Sequence, residues 1–422
     1  MNSLKNNIFF KNTLVLFVGT MTAGVINYFF HSVIGRMVSV RVFGEMESLV
    51  SLLTIISVPS AAIAMAATQY GAGLKAGGNS AGNTEIIKYF YKRLAGYGLP
   101  FFAALLIITP WVGKFLKIEN NFSLIIIWIT MFLSFFSSVN GGIINGWQKF
   151  KEASAAGILG VIAKITGAVV LIRMGFELSG AIGGFAIGSA VSYGASFYIL
   201  RSIAGVEKKS EFVSADAIDF SSMKKYMAAA FVGNLAISIL GNADMVLAKH
   251  NLDFVQAGQY GALTIVSKII FFVTGVIATV LFAMSAEDAH KKNGSSKALR
   301  NSALATLIVA IFSVAVYFIF PKLVLGILFG DKYLEAAGYL GWFALLVALF
   351  SFSNLLFQYL LSIRDNAIVY FYLAIAIIFS MSVLFFAKSI YAILFLAILA
   401  QSFAILSGIG CLIKRRNTLK SQ

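Results

Sequence analysis

The chain has 422 residues, of which 59% are hydrophobic and only 12% charged, and it carries a formal net charge of +16. A soluble domain of this length has no need of so apolar a composition. A nucleic-acid-binding reading of the positive charge requires a basic face on a folded domain, and no stretch between the apolar runs is long enough to supply one. The single cysteine, Cys411, excludes an intrachain disulfide.

Apolar stretches long enough to cross the ~30 Å hydrocarbon core of a bilayer fall near residues 13–36, 46–70, 94–113, 122–144, 155–173 and 180–200. Six more follow near 225–248, 258–285, 300–320, 338–360, 367–386 and 391–413. The first is too long for a signal core of about 7–15 residues and has no small-x-small cleavage site after it, so it is read as a span. The fold class expected is therefore all-α integral membrane, with about twelve transmembrane helices. The termini and every second loop hold 22 of the 33 basic residues; nine lie on the other side, and two, Lys164 and Lys268, lie inside spans. Basic flanks resist translocation and are drawn to anionic lipid. Both termini are thus expected in the cytoplasm, in the plasma membrane of a bacterium or archaeon.

A shift of 214 residues lays the last six spans on the first six, cytoplasmic loop on cytoplasmic loop. The outer stretch 114–121 then lands on 321–337. Phe43-Gly44-Glu45-Met46-Glu47-Ser48-Leu49 faces Ala257-Gly258-Gln259-Tyr260-Gly261-Ala262-Leu263, with identity at Gly44/Gly258 and Leu49/Leu263. Six spans per half keep both halves in one orientation, as in parallel-repeat transporters with a substrate site between halves. The expected organisation is an N-terminal six-helix lobe (1–200), a cytoplasmic linker (201–224) and a C-terminal six-helix lobe (225–422).

Several short motifs occur in order along the chain. Ile34-Gly35-Arg36-Met37 closes span one, and Val42-Phe43-Gly44-Glu45 leads into span two. Gly241-Asn242-Ala243-Asp244 lies in span seven, and Gln256-Ala257-Gly258-Gln259-Tyr260-Gly261-Ala262 enters span eight. Leu328-Phe329-Gly330-Asp331-Lys332-Tyr333-Leu334-Glu335-Ala336-Ala337 precedes span ten. Over nearly its whole length the chain resembles the polysaccharide transporter (O-antigen flippase-like) family of the multidrug/oligosaccharidyl-lipid/polysaccharide exporter superfamily. The resemblance implies two six-helix lobes around a V-shaped central cavity. It also implies a secondary transporter, not an enzyme, that moves a lipid-linked oligosaccharide of the polyprenyl-pyrophosphate type from the cytoplasmic to the periplasmic leaflet by alternating access, for cell-surface polysaccharide synthesis. The partners expected are that substrate, membrane lipids and the polysaccharide polymerase machinery, with the protein itself a monomer.

Lys164 and Lys268 are the two cations that loop topology leaves unexplained. A charge at the bilayer centre costs about 2.5–3.5 kcal/mol on insertion scales. Both lie on faces rich in small residues: Gly157, Gly160, Gly167 and Ala168 around Lys164, Gly261, Thr264, Gly275 and Thr279 around Lys268. That suits a bundle interior. Either they give the cavity a positive field for pyrophosphate or acidic sugars, or they are structural and bonded to carbonyls or an acid. Thr20, Gly24, Asn27 and His31 share one face of span one. Asn27 and His31 can bond sugar hydroxyls or merely neighbouring helices, and His31 can also carry a proton. Arg36, near the outer end, either snorkels or meets a phosphate as the site opens. Asp244 is read as the only acid within a span; it is either an interfacial carboxylate paired with Lys249 or Arg41, or the coupling site for H⁺ or Na⁺. No other cofactor and no metal is expected. Pro59 should kink span two, and with Gly24 it is a candidate hinge, although glycines in such spans also serve packing.

The rival readings are an ion-coupled multidrug or small-metabolite exporter of the same fold, a membrane polysaccharide polymerase or glycosyltransferase, and a structural membrane protein. The enzyme reading lacks a large outer loop, paired acids or a nucleotide-binding glycine loop.

Overall fold

In a computed structural model the described residues are 2–76, 82–204, 220–290, 296–363, 365 and 367–420. Among these, the ordered structure is helical throughout: α1 (Asn2–Met37), α2 (Val40–Ile56), α3 (Val58–Ala76), α4 (Gly82–Phe115), α5 (Phe122–Gly146), α6 (Phe150–Arg173) and α7 (Glu177–Ala204). Then come α8 (Phe220–Asn251), α9 (Phe254–His290), α10 (Ser296–Ile319), α11 (Pro321–Phe329), a 3₁₀ segment (Asp331–Tyr339), α12 (Leu340–Ser362), α13 (Ala367–Phe386) and α14 (Ile390–Lys420). In lipid a backbone must satisfy its own polar groups, which a helix does within one segment. Among the described residues ten helices are long and apolar enough to cross a membrane, or eleven if the bent pair α2–α3 counts as one span. The chain is a multi-pass, all-helical membrane protein.

One expectation changes. The stretch 321–337, expected as an outer loop, folds into α11 and the 3₁₀ segment. Pro321 starts α11 at a position where its missing N–H is not needed. Helix α1 runs through Gly24 as one continuous helix. The break expected near Pro59 is present: α2 ends at Ile56 and α3 begins at Val58. The linker expected at 201–224 lies largely outside the described residues, which omit 205–219.

By contact the chain forms two compact units, residues 1–38 with 56–227 and residues 39–55 with 228–422. The first unit therefore lacks α2, which the halves expected from the repeat would assign to it. Within the first unit α6 lies against α1 and α7, and α5 against α3, α4 and α7. Glycines set the closeness. A Cβ at Gly184 would meet the Lys164 carbonyl oxygen at 2.5 Å, and one at Gly142 would meet that of Ala64 at 2.5 Å. The α6–α7 turn is equally tight. Gly175 takes φ +92°, Phe176 N donates to Leu171 O (3.1 Å) and Gly175 N to Ile172 O (2.9 Å), a Schellman closure. In the second unit α12 is the central helix, in contact with α9, α10, α13 and α14, while the 3₁₀ segment covers α9. Here α2 meets α9 at two glycines. A Cβ at Gly44 would sit 2.6 Å from Gly258 N, and one at Gly258 only 2.0 Å from Val40 O.

Candidate functional site

In the first unit the site centres on Lys164 of α6, 6% exposed. Its ammonium donates a hydrogen bond to Asn27 Oδ1 on α1. It also stands 4.2 Å from the ring centroid of Phe30 on α1 and 4.5 Å from that of Phe185 on α7. The two rings meet edge-to-face at 5.1 Å, and His31, 5% exposed, lies edge-on to Phe30 at 5.3 Å. Asn27, Phe30 and His31 follow the i, i+3, i+4 rule of one helix face. Phe185 reaches the lysine because Gly184 and Gly188 bring α7 onto the α6 backbone. An ammonium between two ring faces is stabilised as a cation. Asn27 and Arg36 are exposed, as is part of the α1 surface around them, and Gly24 is half-buried. The side chain of Thr20 lies outside the described residues.

In the second unit Lys268 of α9 donates to Asn242 Oδ1 of α8 at 2.9 Å, while Asn242 Nδ2 donates to Ser238 O at 2.9 Å. Two residues along, Asp244 is 6% exposed and accepts from the Tyr260 hydroxyl at 2.9 Å through Oδ2. Its other oxygen, Oδ1, has no partner, nor have the buried hydroxyls of Thr264 and Ser267. Tyr260, Thr264 and Lys268 recur at four-residue spacing, so they line one face of α9. Glu47 of α2, 2% exposed, lies against the same face, because Gly261 leaves room: a Cβ there would be 3.2 Å from both Cβ and Cγ of Glu47. Lys268 interacts electrostatically with both Asp244 and Glu47. The side chain of Thr279, expected on this stripe, lies outside the described residues.

Residues 9–287 match the family model described as polysaccharide biosynthesis protein. The chain belongs to that family. Among solved structures this polysaccharide biosynthesis protein is similar to an inward-facing multidrug resistance MATE family transporter of the MOP superfamily. That match has 13% identity and a TM-score of 0.73, covering 94% of this chain and 95% of the other. It is also similar to the lipid II flippase MurJ in an inward closed conformation, with 15% identity, a TM-score of 0.69, and 94% and 87% covered. A third likeness is to a MOP superfamily transporter from Pyrococcus furiosus, with 15% identity, a TM-score of 0.60, and 97% and 94% covered. Identities this low establish the fold, which is that of the MOP superfamily. No curated protein sequence matches the chain. The polysaccharide family and the all-helical membrane fold implied by the motifs are both borne out.

The family member departs from its sequence reading around Asp244. That carboxylate was expected at a hydrated helix end, paired with Lys249 or Arg41. It is buried and bonded to Tyr260, while both cations turn to Glu45: Lys249 Nζ lies 3.4 Å and Arg41 Nε 3.1 Å from Glu45 Oε1. Phe254 underlies both, at 4.4 Å from Lys249 and 4.2 Å from Arg41. Nor is Asp244 the only acid in a span, since Glu45 and Glu47 are buried in α2. They sit at the very start of the second apolar run, where sequence reading takes an acid to be hydrated. Asn242 and Phe185 also escaped notice, because a neutral amide and a phenylalanine give no signal in an apolar span. Among the described residues no group of three or more His, Cys, Asp or Glu is arranged to hold a metal ion.

Proposed function

We propose that the protein is a secondary transporter that flips a lipid-linked oligosaccharide of the polyprenyl-pyrophosphate type from the cytoplasmic to the periplasmic leaflet of a bacterial or archaeal plasma membrane, for cell-surface polysaccharide synthesis. The observation that carries this reading is Lys268: an ammonium deep in a membrane-spanning helix whose hydrogen-bond partner is the neutral amide of Asn242. Asp244 and Glu47 face the same ammonium, so a diphosphate would share it with two carboxylates, and family membership supplies the polysaccharide context. Asn27, His31, Arg36 and Lys164 are the companion residues proposed to meet the headgroup. Pro59 and Gly24 are the proposed hinges of alternating access. The transfer needs positioning and no covalent step.

Coupling is assigned to Asp244, whose buried carboxylate has one oxygen, Oδ1, without a hydrogen-bond partner, which suits a proton or Na⁺. Membrane lipids and the polymerase machinery are the proposed partners of a monomer with both termini cytoplasmic. The test uses proteoliposomes with a fluorescent polyprenyl-diphosphate oligosaccharide and a membrane-impermeant quencher. The intact protein should expose the substrate in both leaflets; Lys268→Gln should not, while inserting normally. Asp244→Asn should abolish dependence on a proton or Na⁺ gradient. Full flipping by Lys268→Gln would refute the reading. The second reading, an ion-coupled multidrug or small-metabolite exporter, draws on the likeness in fold to the multidrug resistance transporter. It predicts gradient-driven movement of lipid-free compounds in the same vesicles.

A further inference from the structure

Away from the buried clusters of α6 to α9, a groove of about 630 Å³ lies between α13 and α14. Phe371, Ile375 and Phe379 of α13 line it, with Leu399, Phe403 and Ser407 of α14. We infer that this groove and the basic end of α14 form the site of a resident anionic phospholipid, with one acyl chain in the groove and its phosphate at Lys414. The inference needs only that the chain spans a membrane, whatever it carries.

Three observations select that occupant. The first is shape. On α13 the lining runs from residue 371 to 382, a rise of about 16 Å, close to half of the ~30 Å hydrocarbon core. Phe371 and Phe403 are more than half exposed, so the groove opens sideways to lipid. It therefore suits a chain lying along the helices. The Ser407 hydroxyl is bonded to Ala404 O at 2.8 Å and leaves the lining apolar at that point.

The second observation is charge. Ser407 and Lys414 are two helical turns apart, so the exposed Lys414 continues the stripe that lines the groove. Gly410 lies between them on that stripe, and a Cβ there would meet nothing within 4 Å, so the path is open. Arg415 Nη1 donates to Ile363 O at 3.0 Å, which brings the turn between α12 and α13 to this end of α14. In sequence the two segments carry Arg364, Lys414, Arg415, Arg416 and Lys420 against a single acid, Asp365. That acid caps α13, accepting from Ala367 N at 3.2 Å. A basic cluster at the end of a membrane-spanning helix draws anionic headgroups. The third observation is position. Helices α13 and α14 pack on α12 and on each other, and none of the residues proposed to hold the substrate headgroup lies on them. A phosphate at Lys414 thus belongs to a second molecule.

The test uses the full chain in nanodiscs of phosphatidylglycerol and phosphatidylcholine in equal amounts. Two probes with identical diazirine-bearing chains, one of each headgroup, are cross-linked by light, and the adducts are mapped by peptide mass spectrometry. The phosphatidylglycerol probe should mark residues 371–382 and 396–407 about fivefold more than its counterpart, the preference expected for each basic residue engaged. Lys414→Gln with Arg416→Gln should bring the two probes to within about twofold of each other. Gly410→Leu enters open space, should fold normally, and should lower the phosphatidylglycerol adducts to the phosphatidylcholine level. Elution at the parent position in gel filtration shows that each variant is folded. Equal marking by both probes in the parent would mean a bulk lipid surface and would overturn the site, as would a preference that survives either folded variant. Polyprenyl diphosphate added at the same mole fraction should leave the adducts in place; their loss would give the groove to the substrate and overturn the phospholipid assignment. No transport is measured, so failure of the proposed flipping activity leaves this result standing.

Discussion

Lys164→Met separates the two roles open to Lys164. The substitution keeps an unbranched stem of similar length and removes the charge. Of its described partners, Asn27 Oδ1, on an exposed residue, and two rings that accept a thioether as well as an ammonium remain. Neither is a buried polar group left unsatisfied, so the change in unfolding free energy should stay within about 1 kcal/mol. Phe185→Leu is the counterpart. It removes one face of the cage, 4.5 Å from the ammonium, and the 5.1 Å edge contact with Phe30. A desolvated cation–π contact and an aromatic pair together come to about 2–3 kcal/mol. Reversible unfolding in detergent–SDS mixtures, followed by tryptophan fluorescence, measures both; flipping in vesicles is measured beside it. The expected pattern is a stable Lys164→Met protein that flips poorly and a Phe185→Leu protein that unfolds early. A loss above about 3 kcal/mol in Lys164→Met would make the lysine a structural cation. Full flipping by that stable variant would remove its functional role altogether.

Tyr260→Phe removes the hydroxyl that donates to a buried Asp244 carboxylate and should cost about 1–3 kcal/mol; in an Asp244→Asn background the same substitution should cost less, read by the same unfolding titration. Gly184→Val places a Cβ where the Lys164 carbonyl oxygen lies 2.5 Å away and should cost about 2 kcal/mol or more by prising α7 from α6. Gly194→Ala, with no atom within 4 Å of the new Cβ, should be neutral or slightly stabilising, and equal losses at the two sites would disprove the close-packing account. Pro59→Ala returns an N–H to the α2–α3 break; unfolding should change by less than about 1 kcal/mol while the transport rate falls. An unchanged rate would show that the break is not used as a hinge.

The spans were legible because a bilayer imposes length and polarity on each segment independently of its neighbours. The run read as 367–386 coincides with α13 and that read as 122–144 with α5 nearly to the residue. The stretch 321–337 was not legible as structure, since its helices are short and one is 3₁₀, with no periodic stripe long enough to register. Lys164 and Lys268 announced themselves because a charge amid hydrocarbon is conspicuous. Their partners did not: Asn27 is 137 residues from Lys164 and Asn242 is 26 from Lys268. The pairing of Glu45 with Lys249 spans 204 residues. A sequence shows which charges need company, but only the packing of α2 on α8 and α9 shows which company they find. Membership of α2 in the second unit was hidden for the same reason, since covalent continuity with α1 and α3 suggests the opposite.

The meeting of Gly44 with Gly258 also bears on ancestry. These residues are images of each other under the 214-residue shift and neighbours in space. Were the halves once two copies of a shorter chain, this contact would have been one glycine touching its own counterpart in a twin. A single inherited residue would then have fixed both sides at once. After fusion each side can drift only into room the other leaves, and between these two backbones there is none. The neighbouring identity, Leu49 with Leu263, is fully buried on both sides. Both identities that the repeat retains, Gly44/Gly258 and Leu49/Leu263, lie at buried positions.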